Sequence, residues 1–252
     1  MNLQPILTAE SAAQLRQLID EAQHIVLFCH LNADGDASYV FYKQPPHVGE
    51  HLTVPPFEAG DVLLYGSYYA ACTGMRPLVM QMLERANQAG AIIYYDLNFR
   101  SSHRHELEAL TPVILSNFRQ STVVRGSADD FQIMYGTRDA RQIYERHIAA
   151  YCPVFICTDG PRSVSVCTPQ GVFQFDVPPV CDVVSTVGAG DNFNAGFSCA
   201  LIWDGIMRQD LPALPRQGWA SLVDIACQFA GEACRSTDNY VRPGFTVAKP
   251  SL

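Results

Sequence analysis

Lysine is nearly absent from this chain. Of its 17 cationic residues only Lys43 and Lys249 are lysines, and the arginines are scattered. With a formal net charge of −8, that distribution excludes a nucleic-acid groove built on clustered basic charge and a polybasic membrane anchor. No uninterrupted apolar run approaches the ~20 residues that cross a bilayer. The opening, MNLQPILTAESAAQLRQ, lacks a basic stretch followed by an apolar one, so it is not read as a secretory signal. No Cys-x-x-Cys pair occurs among the nine cysteines, and their spacings are irregular. Zinc therefore has no ligand pattern to use. Most of the cysteines sit inside apolar runs such as VFICT and FSCAL, which points to reduced core thiols in a cytoplasmic protein. No repeat and no low-complexity tract is visible.

What is present is a chain of 252 residues, 48% hydrophobic and 17% charged, enough for a sizeable core in one or two domains. Residues 8–22 have the apolar spacing of a helix, with Thr8 as a cap. IVLFC (25–29) reads as a buried strand, and ASYVFYK (37–43) alternates as a half-buried one. A short strand near Leu52–Val54 is expected within a Pro- and Gly-rich stretch. Strands at 61–67, 91–98, 121–125 and 154–158 alternate with helices at 74–89, within 103–116, and near 128–135 and 138–150. VSVCT and VFQFD around Pro169-Gln170-Gly171 form a hairpin. Helices follow Gly188 and span roughly 218–235. This rhythm predicts an α/β fold with a mostly parallel sheet and helices on both faces. Its ligand crevice would lie beyond the carboxyl ends of the strands.

The chemistry concentrates in STVGAGDNFNAGF, 185–197. Gly188-Ala189-Gly190 opens an apolar helix, so several backbone N–H groups and the positive helix end converge there as an anion hole. Asp191, in the first turn, is placed to take a proton from an attacking hydroxyl. The alternative is an ordinary tight turn with a capping Asp. DLNFR (96–100) brings Asp96 and Asn98 to a strand end, and Arg100 can fork onto phosphate or a sugar-acid carboxylate.

GAGDNFNAG resembles the catalytic motif of the PfkB/ribokinase carbohydrate kinases. The match covers roughly residues 31–248 and implies a ribokinase-like fold with a small β lid. It implies Asp191 as catalytic base, with the Gly188, Ala189 and Gly190 amides beside the γ-phosphate of ATP. DLNFR resembles the strand end of fructokinase-like and ketodeoxygluconate-kinase-like members, which assigns Asn98 and Arg100 to substrate or phosphate. Thr158-Asp159-Gly160 resembles the family's nucleotide-side turn, so Thr158, Gly160, Thr186, Ser236 and Asn239 are expected at the nucleotide. ASYVFYK resembles a lid strand, and lid-to-lid contact in relatives implies a homodimer. The family's N-x-x-E element falls on Ser127-Ala128-Asp129-Asp130, which leaves Asp130 to meet Mg²⁺ through water. Ser185-Thr186 stand where the family often has Asp-Thr, an Asp tied to a monovalent-cation site.

Only 36 residues precede Ala37, against roughly a hundred before the lid strand in that family. The expectation is therefore an N-terminally incomplete kinase domain at 37–252, with 37–60 as lid strands, preceded by a helix–strand segment at 1–36. That segment, with His30-Leu31-Asn32-Ala33-Asp34-Gly35-Asp36-Ala37, resembles the opening of a DHH-family phosphoesterase, in which His30, Asp34 and Asp36 would bind Mn²⁺. The same string also fits a hairpin turn before the lid strand. Three activities stay open: ATP-dependent phosphorylation of a small sugar or sugar acid, nucleotide binding without catalysis, and a Mn²⁺-dependent phosphoesterase.

Overall fold

The computed structural model describes residues 26–31, 37–42 and 53–247, and the chain divides into two units between residues 50 and 51. In the first unit, β1 (Val26–Leu31) and β2 (Ala37–Tyr42) pair antiparallel in a register that runs from Val26↔Tyr42 to Leu31↔Ala37. β1 belongs to this two-stranded sheet and is not a strand of the larger one. The residues that join the two strands, 32–36, lie outside the described residues. The pairing joins residues on both sides of the expected 36/37 boundary. The helix expected at 8–22 lies outside the described residues.

The second unit is built on a six-stranded sheet in simple sequential order. β3 (Val62–Gly66), β4 (Ile92–Asp96), β5 (Val123–Ser127) and β6 (Val154–Asp159) run parallel. β7 (Ser163–Thr168) and β8 (Gly171–Asp176) continue it as antiparallel strands. The short strand expected near Leu52–Val54 is not formed at Thr53 or Val54. Val54 is buried instead, and its carbonyl accepts from Arg85, so packing and not a ladder satisfies it.

The parallel strands carry helices between them, as right-handed crossovers require. α1 (Arg76–Ala89) ends at Gly90, and α2 (Leu107–Gln120) follows a 3₁₀ segment at Ser101–Glu106. α3 (Ala128–Tyr135) follows β5 directly, and α4 (Ala140–Ile143) runs into a π-helical turn at Tyr144–Ile148. α5 (Ala189–Trp203) and α6 (Arg216–Ala233) close the chain.

Alternation along β4 splits the core into two layers. Tyr94 faces a cluster made with Phe193, Phe197 and Leu201 of α5 and Trp219 and Leu222 of α6. Tyr95 faces the other side, with Phe118 of α2 and Phe131 of α3. Phe197 stacks on Trp219 at 6.4 Å between centroids, and both are fully buried. Burying a Trp or Phe there stabilises by ~3 kcal/mol each by area. The described cysteines are free, and most are buried. Burial pushes the thiols of Cys152, Cys157, Cys167 and Cys227 up to about 12, which suits reduced core residues.

The register of the parallel strands has one consequence for chemistry. Gly66 stands beside Asp96, Asp96 beside Arg125, and Ser127 beside Thr158. The polar residues thus line up at the carboxyl edge of an otherwise apolar sheet.

Candidate functional site

α5 begins where the Gly188-Ala189-Gly190 turn meets that edge. Gly188 is left-handed, at φ 80° and ψ −5°, a conformation that favours glycine. It also lacks room for a side chain, since an added Cβ would lie 2.9 Å from the Asn239 carbonyl oxygen and 3.0 Å from its Cβ. The Asn192 side-chain amide donates to both the Gly188 and Asn239 carbonyls, each at 2.9 Å. The turn is held from behind as well. Val184 and Ser185 donate their amides to the Cys234 carbonyl at 2.8 and 3.2 Å, and the Ser185 hydroxyl accepts from the Val187 amide at 3.2 Å. Cys234 and Asn239 are thus tied to the glycine turn by hydrogen bonds.

Asp191 lies in the first turn of α5 and is exposed. The surrounding protein excludes enough water to push its carboxyl above the ordinary value. The Asp96 charge adds to that push, while Arg125 and Arg100 oppose it. The DLNFR segment and the GAGD turn are thus electrostatically coupled. Asn98 sits just past β4 in a left-handed backbone at φ 40°, and both it and Arg100 are half-buried.

The residue that organises this edge was not singled out from the sequence. Arg125 is 7% exposed in the middle of β5. It donates from Nη1 to Asp96 Oδ1 at 3.1 Å and from Nη2 to Thr158 Oγ1 at 2.7 Å. Asp96 Oδ2 also accepts from Asn194 Nδ2 of α5 at 2.8 Å, and Asn194 Oδ1 accepts from the Tyr94 hydroxyl at 3.1 Å. The guanidinium lies 5.7 Å from the Phe193 ring centroid. Burial works against its charge, but Asp96, Tyr94 and Asp130 together outweigh it, so its pKa is raised. A signal was available: VVRGS interrupts a buried strand with a cation, which seldom happens without a partner.

The expected nucleotide residues divide. Thr158 is buried, and its hydroxyl accepts from Arg125, so it serves the internal network. Gly160 lies in the β6–β7 turn with open space around it. Asp159 beside it is pulled below the ordinary carboxylate value by Arg162, with Arg138 assisting. Thr186 accepts the Ala189 amide at its carbonyl, 3.2 Å. The Ser236 hydroxyl accepts from the Asp238 amide at 3.0 Å, and Asn239 is exposed at φ 61°.

Asp130 closes a capping box on α3. Its Oδ2 accepts from the Ser127 amide at 2.7 Å and the Ser127 hydroxyl at 2.8 Å, and its own amide donates back to that hydroxyl at 3.1 Å. Burial pushes its carboxyl up to about 6 against the pull of Ser127 and Arg125, and Asp96 adds to the rise. A carboxylate engaged in this way fits a water-relayed contact with a metal better than direct ligation. Among the described residues no group of three or more His, Cys, Asp or Glu is placed to hold a metal ion. Asp34 and Asp36, and the side chain of His30, lie outside the described residues.

A mostly parallel sheet with helices on both faces and a glycine turn opening a helix at its carboxyl edge is the ribokinase-like α/β arrangement. Residues 15–237 match the family model described as pfkB family carbohydrate kinase, and the chain belongs to that family. The match begins inside the segment that resembled a phosphoesterase. The chain is 30% identical over 191 residues to the aminoimidazole riboside kinase of Salmonella typhimurium, covering 71% of this chain and 58% of that one. It is 26% identical over 192 residues to the fructokinase of Klebsiella pneumoniae, covering 75% and 62%. It thus spans about three fifths of the curated relatives it matches. Among solved structures, fructokinase from Vibrio cholerae O395 in its fructose, ADP and calcium ion bound form superposes with a TM-score of 0.69 at 20% identity, covering 89% of this chain and 76% of that one. Aminoimidazole riboside kinase from Salmonella enterica, complexed with aminoimidazole riboside and an ATP analog, gives 0.68 at 20% identity, covering 90% and 76%.

Proposed function

We propose that this chain transfers the terminal phosphoryl group of ATP to a hydroxyl of a small sugar or sugar acid. The observation that carries the reading is Asp191, solvent-facing in the first turn of α5 beside the Gly188-Ala189-Gly190 amides. In the step, Asp191 accepts the proton of the acceptor hydroxyl. That oxygen forms the new bond to the γ-phosphorus as the bond to the ADP oxygen breaks. The amides of the turn, with the positive end of α5, receive the charge on the transferring group. The carboxyl of Asp191 is pushed above its ordinary value, which makes it a better proton acceptor than a solvated aspartate.

The other assignments follow the same edge. Asn98 and Arg100 face substrate or phosphate, with Arg100 close enough to Asp191 to lower its pKa. Gly160, Thr186, Ser236 and Asn239 border the nucleotide. Asp130 is the residue that would meet Mg²⁺ through water, and the ion, when bound, would supply neutralisation of the nucleotide phosphate charge. The segment at 37–60, which includes β2, supplies the lid and the surface through which two copies associate. A two-stranded sheet is marginal alone, so a covering partner suits it. The protein works in the cytoplasm.

The test is a coupled ADP-release assay with MgATP over a panel of ketoses, aldoses, sugar acids and ribosides, with the phosphorylated product identified by mass spectrometry. Acceptor-dependent ADP release on at least one of them is expected. ATP binding without turnover on any acceptor replaces this reading with nucleotide binding alone.

A further inference from the structure

We propose that Arg125 is a positioning residue for phosphoryl transfer, clamping the Gly188–Gly190 turn to the strand ends and shielding the site from the Asp96 charge. The proposal rests on the kinase reading above.

An arginine in the middle of a buried strand has a desolvation cost of several kcal/mol. A valine would suit β5 better on packing alone. The guanidinium spreads its contacts over three elements. It donates to Asp96 at the end of β4 and to Thr158 at the end of β6. It also lies against Gly190, where an added Cβ would sit 3.2 Å from Nη1 and 3.3 Å from Nη2. Its Nε is buried without a protein partner. Through Asp96 the network reaches Asn194 and so the second turn of α5. One fork therefore sets where the glycine turn sits relative to both strand ends. The planar geometry of the fork fixes three directions at once, which a lysine cannot do.

The charge arrangement adds a second reason. Asp96 is a buried carboxylate close enough to Asp191 to act on its proton affinity, and Arg125 opposes that action. Without the arginine, the Asp96 charge would repel an incoming phosphate from beneath the turn. The cation is the member of the pair in contact with Gly190, so the turn presents a neutral-to-positive floor.

The test compares binding of MgADP with binding of a non-hydrolysable ATP analogue by calorimetry, in the full chain. A residue that only stabilises the fold would move both affinities together. The wild-type chain is expected to prefer the analogue. Arg125→Met should lower that preference at least ten-fold, with ADP affinity within two-fold. Arg125→Lys should recover at least a third of it. The double variant Arg125→Met/Asp96→Asn leaves no unpaired buried carboxylate and should remain folded, which circular dichroism checks. It should stay at least three-fold below wild type, because the turn is still unclamped. Folded variants with the wild-type preference, or an equal fall in both affinities, overturn the proposal. A wild-type chain that binds neither nucleotide overturns the kinase reading and this proposal together, whereas discrimination that survives Arg125→Met overturns only the arginine's role.

Discussion

Gly188→Ala separates backbone strain from crowding when it is paired with Gly136→Ala. The two glycines have nearly the same conformation, φ 80° with ψ −5° and φ 73° with ψ 16°. An added Cβ at Gly136, the C-cap of α3, meets nothing within 4 Å. Its substitution should therefore cost only the left-handed penalty, ~1 kcal/mol. At Gly188 the same penalty applies, and the new methyl would also stand 2.9 Å from the Asn239 carbonyl oxygen. That atom belongs to backbone and must move. Moving it strains the 2.9 Å bond it accepts from Asn192, whose other 2.9 Å bond is to the carbonyl of Gly188 itself, each contributing about 1 kcal/mol. The expected loss at Gly188 is thus ~2–4 kcal/mol by adding these contributions. Urea unfolding followed by circular dichroism measures both. For a unit of this size the excess over Gly136→Ala corresponds to several degrees in Tm. Acceptor-dependent ADP release should fall steeply in Gly188→Ala and hold in Gly136→Ala. Equal stability losses, or full transfer by Gly188→Ala, would refute the claim that the turn is held against Asn239.

Three further outcomes follow from the same network. In a double-mutant cycle on Asp96 and Arg125, each single removal should cost ~3–5 kcal/mol by leaving a buried charge unpaired, with the double variant costing less than the sum; additive losses in urea unfolding would show that the pair is not coupled. Asp130 holds its proton more tightly folded than unfolded, with its carboxyl pushed up from 3.8 to about 6. Its contribution to stability is full below about pH 4 and is lost as pH rises through about 6, roughly 3 kcal/mol at most. Melting curves of wild type and Asp130→Asn across pH 4 to 8 should differ in slope within that window, and parallel curves contradict it. The acid limb of kcat/KM should lie above the ordinary aspartate value, because burial and Asp96 raise Asp191, and it should move higher still in Arg125→Met; an unmoved limb assigns the titration to another group.

Much of this molecule was legible from pattern. The strands at 62–66, 92–96 and 154–159 and the helices at 76–89, 189–203 and 216–233 fall within a few residues of where apolar periodicity and Gly boundaries put them. The glycine turn with Asp191 was readable because short-range backbone needs fix residue types in sequence. Strand pairing was harder. IVLFC reads as a buried strand by its composition, but composition does not name its partner, which is the antiparallel strand at 37–42. Thr158 shows a different limit. Its place at a strand end was foreseen, but its partner comes from the adjacent strand, and register aligns Ser127, two residues beyond Arg125, with it. Arg125 itself was passed over because a single cation in a strand has no local pattern, and its meaning appears only when Asp96, Thr158 and Gly190 meet around it.

The most direct measurement is acceptor-dependent ADP release by Asp191→Asn, with the Kd for MgATP determined in the same preparation. Removing a general base costs roughly 10²–10⁴-fold in rate, so turnover should fall by that factor while ATP affinity stays near wild type. A variant that transfers phosphate at the wild-type rate would contradict the assignment of Asp191 as the proton acceptor.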